Sequence, residues 1–78
     1  MKYRKKPVEV EAIQFTGSNY DEIMAFCPDL KFTALQTPII KTLEGDMMVS
    51  NKDWIVKGVE GEFYPVKPDI FKQTYEVI

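Results

Sequence analysis

A chain of 78 residues is about half a typical domain, so residues 1–78 hold one fold and exclude a two-lobed enzyme. Hydrophobic residues at 45% and charged residues at 28% match a globular chain rather than a disordered one, and the lack of histidine removes the commonest general base and metal ligand. Net charge is −2, unevenly placed: Lys2, Arg4, Lys5 and Lys6 put four positive charges on a basic tip, so residues 7–78 sum to −6.

After Pro7, the segment Val8–Phe15 alternates with period two, the pattern of a half-buried strand. The alternation changes face midway. Val8, Val10 and Ala12 point one way, Ile13 and Phe15 the other, so either a bulge lies near Ala12 or both faces of the strand are partly covered. Thr16-Gly17-Ser18-Asn19 breaks the strand, and Ser18 or Asn19 is placed to cap a helix whose first turn carries Asp21 and Glu22. Tyr20, Ile23, Met24 and Cys27 recur at helical spacing with Phe26 beside them, and Pro28 ends the helix.

Beyond Leu30 the chain reads as short β segments. Lys31–Leu35 is weakly patterned. Ile39–Leu43 and Met47–Val49 flank Glu44-Gly45-Asp46, a hairpin turn in which glycine takes positive φ. Ser50–Asp53 is a second turn. Trp54–Lys57 and Glu62–Val66 then flank Gly58-Val59-Glu60-Gly61. Pairing Gly58 with Gly61 places Lys57 opposite Glu62, Val56 opposite Phe63, Ile55 opposite Tyr64 and Trp54 opposite Pro65. That register collects Trp54, Val56 and Phe63 on one apolar face. Lys67–Thr74 predicts one turn of helix or 3₁₀, started by Pro68 and Asp69, and Tyr75–Ile78 a last short strand.

The fold class expected is α+β: a small, curled antiparallel sheet of about five to seven short strands with one packed helix. The chain has no apolar run near the ~20 residues of a membrane helix, and the lone Cys27 cannot close an internal disulfide. Both features predict a cytoplasmic protein with no membrane partner.

Little in the chain is equipped for chemistry. Glu44, Asp46, Asp53, Glu60, Glu62, Asp69 and Glu76 would be the acids of a small carboxylate or divalent-metal enzyme, but they lie in separate turns and lack a signature spacing. Cys27 sits on an apolar helix stripe with no histidine to activate it. A single-stranded nucleic-acid or nucleotide site would stack bases on exposed aromatics beside lysines, which selects Tyr64, Lys67, Tyr75 and Lys57 as the candidate binding surface. The acidic body disfavours nucleic acid there, and Trp54, Phe63 and Phe71 are more simply read as core.

Several stretches carry a resemblance. Leu43-Glu44-Gly45-Asp46-Met47 and the run from Asp53-Trp54-Ile55 through Lys57-Gly58-Val59, Gly61-Glu62-Phe63-Tyr64-Pro65 and Lys67-Pro68-Asp69-Ile70-Phe71 to Thr74-Tyr75-Glu76, with Tyr3–Val8 and Glu11–Phe15, resemble a family of small proteins encoded by bacteriophages and prophages. The chain departs from that pattern at Lys52, where the family carries glycine. The resemblance implies a phage-encoded protein acting in the host cytoplasm, and brings with it no activity, cofactor or catalytic residue. The expected function is therefore a non-catalytic binding protein, without cofactor, whose partner is a host or phage protein or a second copy of itself.

Overall fold

The computed structural model describes residues 1–4 and 7–78 of the chain. Six strands form two antiparallel sheets, each of three strands, rather than the one curled sheet expected. β1 (Glu11–Gln14), β5 (Trp54–Lys57) and β6 (Phe63–Val66) make the first, in the order β1-β5-β6. β2 (Lys31–Phe32), β3 (Pro38–Thr42) and β4 (Gly45–Met48) make the second, in the order β2-β3-β4. The split follows from the turns: Ser50–Asp53 carries the chain back to β1, not onward beside β4. The two sheets approach where β3 and β4 pass β6.

There are also two helices where one was expected, α1 (Tyr20–Phe26) and α2 (Pro68–Thr74), each of seven residues. Neither is long enough to cross a membrane. α1 starts after Asn19 as anticipated, yet the Asn19 side chain does not cap it. Its Oδ1 accepts the Thr16 N–H at 2.8 Å and its Nδ2 donates to the Gln14 carbonyl at 2.9 Å, which ties the helix start to the end of β1. α2 extends the single turn expected at Pro68, whose fixed φ and missing N–H suit the first helical position. Tyr75–Ile78 forms no strand.

The core lies between the first sheet, β3 and α1. Phe15, Ile23, Cys27, Leu30, Ile40, Val49 and Ile55 are buried together, with Ile13, Tyr20, Phe26, Phe32 and Phe63 packed around them. Met24 belongs to the predicted helix stripe but faces solvent, and Phe26 takes its place, edge-on to Phe63 at 5.6 Å. A seven-residue helix is too short to persist alone, so burial of Ile23 and Cys27 is what holds α1.

The β5–β6 register is one residue away from the sequence expectation. Trp54 pairs with Val66, Ile55 with Pro65, Val56 with Tyr64 and Lys57 with Phe63. Gly58 N–H reaches the Glu62 carbonyl at 2.7 Å and Gly61 N–H reaches the Gly58 carbonyl at 3.0 Å, so three residues, not two, bridge the closing pair. Gly61 sits at φ +84°, the left-handed residue that ends a three-residue hairpin loop. The one-residue slip exchanges faces. Phe63 joins Ile55 on the core side, whereas Trp54, Val56, Tyr64 and Val66 form the outer face. Glu62 meets no Lys57 and turns back over Gly58, where it accepts the Glu60 N–H at 3.1 Å.

β1 has no bulge, since Glu11–Gln14 pairs continuously with Lys57–Trp54. Its midway change of face has the other cause anticipated, two partly covered sides. Ile13 packs on the core, and Ala12 turns outward opposite Val56.

Candidate functional site

The outer face of the first sheet is where the chain leaves space. α2 crosses it, held by aromatic side chains and not by any fully buried residue of its own. Trp54 stacks on Phe71 with ring centroids 4.2 Å apart and planes 6° from parallel. Phe71 then meets Tyr75, one helical turn on, at 5.0 Å. The Tyr75 and Tyr64 hydroxyls lie 3.4 Å apart and complete a row that runs from β5 over α2 to β6.

Between that row and the extended chain before β1 opens a groove of about 970 Å³. Val8, Val10, Ala12, Trp54, Phe71 and Tyr75 give it apolar walls, and Glu9, Lys72 and Glu76 supply its charged side chains. Trp54 is thus half-buried and part of a groove, where the sequence placed it in the core. Val56 beneath is wholly buried.

The anticipated surface residues are not gathered in one patch. Tyr64 and Tyr75 touch. Lys67 lies near the opposite end of the β5–β6 hairpin from Lys57, its Nζ 3.1 Å from Asp53 Oδ2. Lys57 pairs with Phe63 and therefore faces away from Tyr64. Asp53 is only 2% exposed, and Oδ2 also accepts the Ser50 N–H at 2.9 Å, so this carboxylate is fully engaged in closing the turn before β5.

Sequence reasoning missed Val8, Val10 and Ala12 as groove residues, and it read Phe71 as core. The signal was present in the change of face between Ala12 and Ile13, and in Phe71 and Tyr75 at a spacing of four. Neither could be assigned a partner before the hairpin register was known.

Electrostatically the site is quiet. Tyr64 is pushed up to about 12, first by its hydrogen bond to Tyr75, then by burial, then by the negative charge that Tyr75 and Glu62 place nearby. It stays a neutral phenol. Cys27 lies in the core, 1% exposed, and burial, followed by the Asp29 carboxylate, raises its thiol above the ordinary value. No group of three or more Asp, Glu or Cys side chains among the described residues is placed to hold a metal ion. The arrangement offers an apolar trough with a polar rim, suited to holding an extended chain.

Comparison with protein-family models, with curated proteins and with solved structures returns no match.

Proposed function

We propose that this chain is a small non-catalytic binding module of phage or prophage origin that works in the bacterial cytoplasm by taking an extended protein segment into the groove between residues 7–12 and α2. The observation that carries the reading is the groove itself, whose walls present Val8, Val10, Trp54 and Phe71 side by side. Apolar surface left open in a domain this small is costly unless something covers it. The resemblance of the Asp53–Phe71 run to phage-encoded proteins supports the origin.

The single-strand reading receives less support. A base would have to displace Phe71 from Trp54 or Tyr75 from Tyr64, and Lys67 is occupied by Asp53.

The test is affinity capture of the tagged chain from phage-infected bacteria, run beside Val10→Glu, which puts a charge in the groove wall without touching the core. A protein held by the wild type and lost with a Val10→Glu chain of equal melting temperature supports the reading. Identical captures, or none, would sink it.

A further inference from the structure

The segment before the groove has the complementary pattern to the groove itself. Met1, Lys2, Tyr3 and Arg4 alternate apolar and basic side chains, which an extended strand sorts onto opposite sides. The structure places the two apolar ones together, Tyr3 Oη lying 3.9 Å from Met1 Sδ. Neither packs on its own chain: Met1 and Tyr3 are 108% and 88% exposed. A thioether and a phenol ring held side by side in water, next to two cations, are an anchor without a socket.

The socket has the matching chemistry. Its apolar walls would take Met1 and Tyr3, and Glu9 and Glu76 supply acids to meet Lys2 and Arg4, against one lysine, Lys72, among the lining residues. The molecule's charge is divided in the same sense, four positive charges on residues 1–6 and −6 on the remainder.

We infer that the N-terminal arm of one copy docks in the groove of a second copy, and reciprocally, so that two chains exchange arms in a two-fold dimer. This deepens the binding-module reading, on which it rests, by making the segment that fills the groove the chain's own. Reciprocity closes the assembly at two; a one-way contact would run on into filaments. Each contact is small and partly ionic. The dimer is therefore weak and salt-sensitive.

Sedimentation of the full chain tests this. From about 10 μM to about 1 mM, concentrations that bracket a weak self-association, the wild type should pass from monomer to dimer. Raising salt from about 0.02 M to about 0.5 M should weaken association about tenfold. Lys2→Glu with Arg4→Glu reverses the arm, and Glu9→Lys with Glu76→Lys reverses the groove; all four side chains are exposed, so the fold is spared. Each double variant should remain monomeric alone, and an equimolar mixture should recover the dimer. A wild type monomeric at every concentration, a mass that climbs past two, variants that associate as the wild type does, or a mixture no heavier than its components would each overturn the inference. None of these results bears on capture lost with Val10→Glu, so the two readings fail separately.

Discussion

Trp54 and Phe71 stack with their ring planes nearly parallel, 6° apart, at a centroid distance of 4.2 Å. That exceeds the ~3.5 Å of carbon layers in contact, so the rings are displaced along one another, the arrangement their quadrupoles prefer. The relationship joins a strand set by its hairpin to a helix that has no buried residue of its own. It is accordingly the principal attachment of α2 to the sheet and one wall of the groove.

If so, Trp54→Ala and Phe71→Ala should not add. Each removes a half-buried ring and should cost about 2 kcal/mol, below the ~3–5 kcal/mol of a fully buried aromatic. A denaturation double-mutant cycle should show ~0.5–1.5 kcal/mol of coupling. Additive losses would mean that the stack contributes area alone.

Lys67 and Asp53 give a second anchor for the same helix. Lys67→Met leaves Asp53 buried with only the Ser50 N–H, but Lys67 is 57% exposed and water screens much of its charge, so the loss should be about 1 kcal/mol. Asp53→Ala removes the acceptor for both donors and should cost about 2–3 kcal/mol. Equal losses for the two variants, measured by urea unfolding, would contradict a turn-closing role for Asp53.

Lys52 occupies φ +72° in the Ser50–Asp53 turn, a left-handed conformation that costs a residue with a Cβ about 1 kcal/mol. Its N–H is fixed there by the Phe15 carbonyl at 2.6 Å. Lys52→Gly should therefore raise stability by ~0.5–1 kcal/mol despite glycine's greater freedom when unfolded. A lower melting temperature in Lys52→Gly would show that the lysine side chain contributes more than its backbone strain removes.

The elements were legible in the sequence because their signals are local. Pro28, Gly45 and Pro68 mark chain direction through their own backbone chemistry, and the α1 end, the β3–β4 hairpin and the α2 start follow from them. Sheet membership was not legible, since β4 and β5 are neighbours in sequence and separated in space by a turn that hands β5 to β1. The Trp54 face was lost for a smaller reason. Gly58 and Gly61 look equivalent as letters, but only Gly61 takes positive φ, and that difference puts Ile55 on the core side with Phe63 and turns Trp54 and Val56 outward with Tyr64. The groove depended on this register, so it stayed hidden even with Tyr64 and Tyr75 already singled out.

The Tyr64–Tyr75 contact makes the outer face sensitive to alkali. Tyr64 ionises near 12 in the folded chain against about 10 for a free phenol, so folding favours its neutral form. The stabilisation is fully present below pH ~10 and is lost as pH rises through about 12, because the contact with Tyr75 and the burial of the ring favour the neutral phenol over the phenolate. Tyr75→Phe removes the largest cause of the shift and should return Tyr64 toward pH ~10. Tyrosinate absorbance, corrected with a Tyr64→Phe chain for Tyr3 and Tyr20, reads this directly. An unchanged Tyr64 titration in Tyr75→Phe would assign the shift to burial instead, and would remove the hydroxyl pair from the forces that hold residue 75 against the sheet.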